Sequence, residues 1–167
     1  MVRIGIDLGG TKTEIIALGA AGETLLRRRA ATPARDYAAI VELIVGLVRD
    51  AEKELGSDPN LPARRGGLSS RVAPAPGFFS VGIGTPGSLS PATGYIRNSN
   101  STCLIGRPLQ ADLEHALGRT IRMANDADCF ALSEASDGAA RGARTVFGII
   151  LGTGVGGGIV VDGRVLA

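Results

Sequence analysis

Residue types that bind metals or form disulfides are scarce in this sequence. Its 167 residues include two cysteines, one histidine and no tryptophan. Cys103 and Cys129 are far apart and belong to no Cys-x-x-Cys pair, which argues against a disulfide framework and against a cysteine-based zinc site. His115 has no partner at the spacing of a metal site. We therefore expect two reduced thiols and a histidine on a solvated helix surface.

A strong charge excess and a long hydrophobic run are also missing. The 18 Lys and Arg residues nearly balance the 16 Asp and Glu residues, so charge gives no reason to expect nucleic acid or an anionic membrane as a partner. The apolar run at 40–48 contains Glu42 and is shorter than the roughly 20 residues that span a bilayer. The first residues enter a strand pattern without the features of an export signal. We expect a cytoplasmic protein.

The first part of the chain has two clear periodicities. Residues 2–30 alternate apolar and polar side chains between glycine turns, which predicts a meander of three strands. Residues 36–55 place apolar side chains on one helical stripe and predict a helix, with Asp36 as its N-cap and Gly56 as its stop. Residues 57–77 are rich in Pro, Gly, Ser and Arg and have neither period, so we expect a flexible inserted loop there.

The rest of the chain alternates strands and helices. The predicted order is a strand at 78–85, a helix at 108–118, a strand at 120–125, a helix at 127–140, a strand at 145–151, a glycine turn at 152–158 and a strand at 159–165. In the 127–140 helix we expect Ala131, Leu132 and Ala135 to face the core. This order predicts an α/β domain with a mixed sheet over 1–144, and the beginning of a second unit over 145–167.

The stretch "GIDLGGTKTE" at 5–14 combines glycines with a carboxylate. Gly9 and Gly10 allow the backbone N–H groups to approach a phosphate, and Thr11 and Lys12 add a hydroxyl and a cation. The order of Thr and Lys, and the strand that follows, do not fit a Walker loop. A carboxylate beside phosphates would repel them unless a divalent cation lies between the two. Asp7 therefore points to Mg²⁺, although a plain strand-ending turn is an alternative.

A second glycine cluster, "GTGVGGG" at 152–158, contains a formal G-x-G-x-x-G match. In a dinucleotide site that motif must open a helix, whereas a strand pattern follows here. Two glycine hairpins that each follow an apolar strand suggest instead two phosphate-binding loops that face each other across a cleft.

Polar residues between the two clusters are candidates for chemistry. Asn125 and Asp126, in "ANDAD", stand where a predicted strand ends and a predicted helix begins, which is where open α/β sheets bind ligands. The alternative for Asp126 is an ordinary helix N-cap. Asn98 and Asn100, in "RNSNST", are as compatible with turns as with ligand binding.

Five motifs in one order, "GIDLGGTKTE", "GIGTPGSLSP", "NSNST", "ANDADCFALSEA" and "GTGVGGGI", resemble the ROK family of sugar kinases. Within that family the sequence looks most like bacterial fructokinases, of the kind also described as mannofructokinases. The resemblance covers essentially the whole chain outside 57–77. It implies the actin-like, ribonuclease-H-like kinase fold, in which two lobes close around ATP and sugar.

The resemblance also implies roles for individual residues. Asp7 would lie near Mg²⁺, and Asp126 would be the general base that accepts the proton of the attacking sugar hydroxyl. ATP would be bound by two groups of residues: Gly9, Gly10, Thr11 and Lys12 in the first loop, and Gly152, Thr153, Gly154 and Gly156 in the second. The sugar would be bound by Gly87, Ser88, Asn100, Asn125 and Asp126. The expected substrate is a hexose, most of all fructose, with mannose and glucose as further possibilities.

Some features of related sequences have no counterpart in this chain. Relatives continue with a sugar-binding Glu and His, a cysteine-rich structural zinc motif and an adenine pocket, and fructokinases often have Trp where this chain has Cys103. We therefore expect the N-terminal lobe of a kinase, inactive in isolation, whose full-length form is a homodimer. The alternatives are a non-catalytic sugar-binding fragment and a sugar-responsive regulator; in such regulators a helix-turn-helix domain precedes the kinase-like part.

Overall fold

The computed structural model describes residues 1–33, 35–57, 78–151 and 155–166. Nearly all of the predicted 57–77 insertion and the Gly152–Thr153–Gly154 segment lie outside these residues. The larger sheet has the strand order β3-β2-β1-β4-β7. Its strands are β1 Val2–Leu8, β2 Lys12–Leu18, β3 Thr24–Ala31, β4 Phe79–Thr85 and β7 Arg122–Asn125.

This sheet is mixed, as the sequence predicts. Strands β1, β2 and β3 form an antiparallel meander, whereas β4 pairs in parallel with β1 and β7 in parallel with β4. The carboxyl ends of β1, β4 and β7 therefore lie at one edge of the sheet. Beyond that edge, β5 Ser88–Leu89 and β6 Ile96–Arg97 form a small separate ribbon, which a short 3₁₀ turn at Thr102–Leu104 follows.

Helix α1, Tyr37–Gly56, supplies one side of the main core, where Ile40, Ile44 and Val48 are almost completely buried. The Asp36 carboxylate accepts a hydrogen bond from the Ala39 N–H at 3.0 Å, so the predicted N-cap is confirmed. The predicted stop at Gly56 is wrong. Gly56 is the last helical residue and Ser57, with an ordinary right-handed backbone, is the C-cap.

Helix α2, Leu109–Leu117, packs on α1 and buries Leu109 and Leu113. Pro108 precedes its first residue, and Gly118 ends it in the left-handed conformation (φ 65°), as predicted. His115 is exposed in its last turn. The Tyr37 hydroxyl donates a hydrogen bond to Asp112, which joins the two helices. Burial and the Asp112 carboxylate raise the pKa of Tyr37.

Helix α3, Asp126–Ser136, is shorter than predicted. The N–H groups of Asp137 and Gly138 both reach the Ser133 carbonyl, and the Glu134 carboxylate accepts from the Ala139 N–H at 2.8 Å, which closes the helix before residue 140. Ala131 is fully buried, but Leu132 is exposed, so the predicted inward orientation of Leu132 is wrong. The residues of α3 nearest the glycines of the neighbouring sheet include Ala127, Phe130 and Ala131, and Leu132 is not among them.

That neighbouring sheet has the order β10-β9-β8, with β8 Thr145–Leu151, β9 Val155–Val161 and β10 Arg164–Val165. Asp162 and Gly163 both have positive φ, which confirms the predicted Asp-Gly hairpin. The predicted 152–158 turn is too long, because β9 already begins at Val155. Gly156, Gly157 and Gly158 pair with Ile150, Ile149 and Gly148.

In the described parts of the chain, no helix is long and apolar enough to cross a membrane. Helix α3 follows the last strand of the larger sheet directly and packs against the smaller one, so it links the two. The domain boundary at residue 144 stays a prediction.

Candidate functional site

The first glycine loop is a tight hairpin between β1 and β2. The Gly9 N–H donates to the Lys12 carbonyl at 3.0 Å, and a Cβ added at Gly9 would lie only 2.6 Å from that carbonyl oxygen. Any side chain at this position would therefore force the hairpin open. The Thr32 N–H donates to the Thr11 carbonyl at 3.0 Å and holds the loop from the β3 side.

Two buried threonine hydroxyls support this loop from below. The Thr32 hydroxyl donates to the Gly9 carbonyl at 2.8 Å, and the Thr13 and Thr32 hydroxyl oxygens are 2.8 Å apart. Because Thr32 has a single hydroxyl proton, which the Gly9 carbonyl accepts, Thr13 must be the donor to Thr32. No sequence pattern predicts this pair, since a threonine in or beside a strand is ordinary.

Asp7 is the last residue but one of β1, directly before this loop. Glu14 is its register partner on β2 and Gly84 its partner on β4, so a carboxylate stands on one side of Asp7 and a residue without a side chain on the other. Partial loss of hydration raises the pKa of Asp7, and the negative charges of Asp126 and Glu14 raise it further. Such crowding of negative charge favours a cation beside Asp7.

Glu14 is itself held by arginines from β3. Arg27 donates to one Glu14 carboxylate oxygen at 2.6 Å and Arg29 donates to the other, and these hydrogen bonds lower the pKa of Glu14. Arg29 also partly offsets the negative charges around Asp7. The guanidinium groups therefore keep Glu14 ionised and fixed next to the strand end.

Asn125 and Asp126 join β7 to α3. The Asn125 side-chain oxygen accepts from the N–H groups of Ala127 at 3.0 Å and Asp128 at 3.3 Å, and its amide donates to the Gly87 carbonyl at 2.8 Å. Asn125 is therefore the N-cap of α3, and the alternative that gave this role to Asp126 is wrong. Asp126 is the first helical residue, and one of its carboxylate oxygens accepts from Ala127 at 2.8 Å.

Glycines bring the strand ends close to this helix start. A Cβ added at Gly84 would lie 3.8 Å from the Asp126 Cα and 3.6 Å from the Cys129 Sγ. Gly87 has a φ of 86°, and a Cβ there would lie 2.5 Å from the Arg97 carbonyl oxygen. The predicted sugar-site residues Gly87 and Ser88 thus form the turn into β5, which the Asn125 amide ties to the start of α3.

The "NSNST" segment contacts the first glycine loop. A Cβ added at Gly10 would lie 3.6 Å from the Ser101 hydroxyl oxygen, and the Ser101 N–H donates to the Ser99 hydroxyl at 3.1 Å. Asn98 has a φ of 54°, as expected for a turn former, and Asn100 is exposed. The sequence analysis did not single out Ser99 and Ser101. The available signal was their position next to the candidate asparagines Asn98 and Asn100.

Asp128 is a third carboxylate at this end of α3, and the sequence analysis assigned it no role. Burial and the negative charge of Asp126 raise the pKa of Asp128. Within the residues that the structure describes, no three His, Cys, Asp or Glu side chains are grouped to hold a metal ion. A divalent cation at Asp7 would therefore need further ligands from phosphate oxygens or water.

The two cysteines differ in their surroundings. Both are free, and Cys129 lies near Gly84, where burial and the neighbouring aspartates raise the pKa of its thiol. Cys103 is half-buried beside an open pocket of about 470 Å³ whose lining includes Tyr37 and Arg107. The Arg107 guanidinium stands 5.2 Å from the centre of the Tyr37 ring.

The second predicted phosphate loop is described only in part. Gly156 lies inside β9, and a Cβ added there would be 3.2 Å from the Ala127 Cβ. The missing side chain at Gly156 therefore lets α3 pack closely on β9. Its role in nucleotide binding stays a prediction, and Gly152, Thr153 and Gly154 lie outside the described residues.

Comparisons with known proteins agree with this architecture. Residues 3–58 and 68–167 match the ROK family. The chain is 42% identical over 163 residues to N-acetyl-D-glucosamine kinase of Photobacterium profundum, covering 98% of this chain and 47% of that enzyme. It is 40% identical, with the same coverage, to N-acetyl-D-glucosamine kinase of Vibrio cholerae. The chain thus spans about half the length of these curated relatives.

A solved structure shows the same fold. The ROK family glucokinase from Streptomyces griseus, in complex with glucose and AMPPNP, aligns with a TM-score of 0.77 and 28% identity over 99% of this chain and 46% of that one. This confirms the predicted N-terminal lobe of an actin-like sugar kinase fold. The expected likeness to fructokinases is not supported, because the matching relatives are N-acetyl-D-glucosamine kinases. With nearly its whole length matched in sequence and in fold, the chain belongs to the ROK family.

Proposed function

We propose that this chain is the N-terminal lobe of an ATP-dependent sugar kinase that phosphorylates N-acetyl-D-glucosamine or a closely similar hexose. The observation that carries the proposal is the convergence of three segments at one sheet edge. The first glycine loop approaches Ser101, Gly84 approaches the start of α3, and Asp7 and Asp126 are close enough for the charge of Asp126 to raise the pKa of Asp7.

Asp126 is the general base in this proposal. Asn125 caps α3, so Asp126 is not needed for that task, and among the described residues only one of its carboxylate oxygens accepts a hydrogen bond. It stands at a helix N-terminus, at the same edge as the first glycine loop. From there its carboxylate accepts the proton of the sugar hydroxyl as that hydroxyl attacks the γ-phosphate, a role worth about 10²- to 10⁴-fold in rate.

The first glycine loop holds the phosphates of ATP. Its hairpin leaves Gly10 and Thr11 exposed, and Lys12 adds a positive charge at the beginning of β2. Mg²⁺, when bound with ATP, neutralises phosphate charge and orients the transferring group. Asp7 would hold this ion through water or phosphate oxygens, which fits its place among like charges.

The sugar would lie between Gly87, Ser88 and Asn100. Asn100 is exposed and can offer both a donor and an acceptor to neighbouring hydroxyls. Asn125 uses most of its hydrogen-bonding capacity within the protein, so we assign it the positioning of Gly87 and Asp126 as well as any contact to sugar. N-acetyl-D-glucosamine is preferred over fructose because the curated relatives carry that activity.

The test uses a fusion, in which this chain is followed by the portion of the Photobacterium profundum kinase that has no counterpart in it. ADP release is measured with N-acetyl-D-glucosamine, glucose, mannose and fructose. We expect turnover in the fusion, fastest with N-acetyl-D-glucosamine, and little or none in the chain alone.

The decisive variant of the fusion is Asp126→Asn, which removes the proton acceptor but keeps the shape of the side chain. We expect kcat to fall about 10²- to 10⁴-fold with Tm nearly unchanged. Asp137→Asn, at the other end of α3, is the matched control and should keep full turnover. Equal turnover in the two variants would remove Asp126 from the role of base.

A further inference from the structure

A row of charged side chains crosses one face of the larger sheet. The register places Asp7 of β1 beside Glu14 of β2, and Glu14 beside Arg29 of β3. The Cβ atoms of such directly opposite residues are about 4.5–5.5 Å apart. On the other side of Asp7 is Gly84, where an added Cβ would lie 3.8 Å from the Asp126 Cα. The row therefore runs from the start of α3 to the edge strand β3, with Glu14 between Asp7 and Arg29.

Glu14 is held from β3 by two arginines, one on each carboxylate oxygen. Arg27 donates to one oxygen at 2.6 Å, and the Nε of Arg29 donates to the other at 2.7 Å. The Glu14 side chain is only 19% exposed. The hydrogen bonds from the two arginines lower the pKa of Glu14, so the side chain is negatively charged at neutral pH. This charge therefore has a fixed position in the row.

A second glutamate forms a simpler ion pair with the same strand. Arg28 lies between Arg27 and Arg29 on β3, so its side chain is on the other face of the sheet, where it pairs with Glu54 of α1. The Glu54 side chain is 54% exposed, and among the described residues it pairs with one arginine, whereas Glu14 pairs with two. Exposed ion pairs add little to stability. Joining β2 to β3 is therefore a weak reason for two arginines on one carboxylate.

The charges of the row act on Asp7 with opposite signs. Burial raises the pKa of Asp7 most, the negative charges of Asp126 and Glu14 raise it further, and the positive charge of Arg29 lowers it. Glu14 acts more strongly than Arg29 because it lies one strand nearer. A cation at Asp7 would be attracted by Glu14 and repelled by Arg29, and phosphate without a cation would experience the reverse. The charge of Glu14 therefore favours phosphate that arrives with a divalent cation.

We propose that Glu14 is a positioning residue for the metal and phosphate site, and that its fixed charge makes the first glycine loop select phosphates accompanied by a divalent cation. Arg27 and Arg29 hold this charge beside Asp7, and Arg29 also limits its effect. The inference rests on the proposed function, from which it takes the binding of ATP with Mg²⁺ at this edge of the sheet. It adds the residue that determines how strongly nucleotide binding depends on the metal.

The test measures how much Mg²⁺ tightens nucleotide binding. The Kd of ADP is determined by calorimetry for the fusion with the Photobacterium profundum portion, once in EDTA and once in saturating Mg²⁺. The ratio of the two Kd values reports the coupling between cation and nucleotide. A substitution that only loosens the first glycine loop weakens ADP binding in both conditions and leaves the ratio unchanged.

Three variants each remove one charge from the ion pairs of β3. Glu14→Gln removes the attracting charge, so the ratio should fall about 3- to 10-fold. Arg29→Gln removes a repelling charge while Arg27 still holds Glu14, so the ratio should rise about 2-fold. Glu54→Gln is the matched control, because it removes a carboxylate paired with the same strand on the other face, and the ratio should stay within about 1.5-fold of the parent. Opposite effects from the two members of one ion pair are the signature of a charge effect.

An unchanged ratio in Glu14→Gln would overturn the proposal. A fall of the ratio in both Glu14→Gln and Arg29→Gln would also overturn it, since the pair would then have a structural role. The Tm of each variant without nucleotide reports its folding, and if Glu14→Gln does not fold, a ratio that fails to rise in Arg29→Gln is decisive against the proposal.

Failure of the proposed function is a separate result. It would appear as a fusion that binds ADP with the expected ratios but releases no ADP from ATP with any of the four sugars. A fusion that turns over sugar but shows no tightening of ADP binding by Mg²⁺ would instead overturn the role of Glu14 and leave the kinase activity in place.

Discussion

The two sheets bury their helices by different means. In the larger sheet, branched side chains fill the space, and Ile40, Ile44 and Val48 of α1 meet the strand residues in one buried cluster. In the smaller sheet, glycines let α3 approach the strand backbone, so that a Cβ added at Gly158 would lie 2.6 Å from the Ala127 carbonyl oxygen. The first interface depends on large buried side chains, and the second depends on glycines that have no side chain.

This difference predicts opposite sensitivities to substitution. A core filled by side chains loses stability when a side chain is shortened. A contact between a helix and a glycine strand loses stability when a side chain is added. Matched substitutions in the two interfaces can therefore test this contrast.

The largest effect is expected for Ile44→Ala in α1. Ile44 is fully buried in the main core, so the truncation should lower the free energy of unfolding by about 2–5 kcal/mol. Ile149→Ala, which shortens an exposed isoleucine on the smaller sheet, should change it by less than about 0.5 kcal/mol. Urea denaturation of the two variants measures both values. Similar losses would show that the smaller sheet is also held by its exposed side chains.

A smaller effect is expected for Gly158→Ala in β9. The added methyl would press on the Ala127 carbonyl and push α3 away, at a cost of about 1–3 kcal/mol. Gly46→Ala in α1 is the matched control. No atom lies within 4 Å of its added Cβ, and a helical alanine should stabilise by about 0.5–1 kcal/mol. If both substitutions stabilise the protein, the close approach of α3 to β9 is not a structural requirement.

The smallest effect is expected at Asp7, which lies where the larger sheet meets α3. Its folded-state pKa is raised above the ordinary value of 3.8, so folding binds its proton more tightly. The free energy of unfolding therefore falls as pH rises from the ordinary pKa of Asp7 through its raised folded-state pKa. At pH 7 the ionised Asp7 carboxylate destabilises the folded state. Asp7→Asn should raise Tm slightly at pH 7 and leave it unchanged at about pH 3, where both states are protonated. A lower Tm at pH 7 would contradict this sign.

Local signals in the sequence were sufficient to predict the strand meander of the larger sheet and the helices α1 and α2. Alternation identified the meander, the Asp36 cap placed the beginning of α1, and Pro108 and Gly118 bracketed α2. These signals act within a few residues of one another. The end of α3 and the beginning of β9 could not be predicted in this way. Helix α3 ends where the Asp137 and Gly138 N–H groups turn back to the Ser133 carbonyl, and the glycines of β9 pair with β8 where a turn was expected.

The candidate site was predictable to a similar degree. Asn125 and Asp126 could be placed where a strand ends and a helix begins, the position at which open α/β sheets bind ligands. The hydrogen bond from the Asn125 amide to Gly87, the hydroxyl pair of Thr13 and Thr32 and the approach of Ser101 to Gly10 depend on segments far apart in sequence. The preference for fructose was not supported, since the same hydroxyl-binding residue types suit any hexose.

The hydrogen bonds from Thr13 to Thr32 and from Thr32 to the Gly9 carbonyl affect the entropy of nucleotide binding in the proposed function. Because the hydrogen bonds that shape the first glycine loop are closed within the protein, the loop is ordered when the chain folds and not when phosphate arrives. Binding there would then carry little entropic penalty from the loop itself, and its affinity would reflect the contacts that ATP makes. In the proposed function the first glycine loop is therefore a preorganised receptor, because the hydrogen bonds that shape it form during folding.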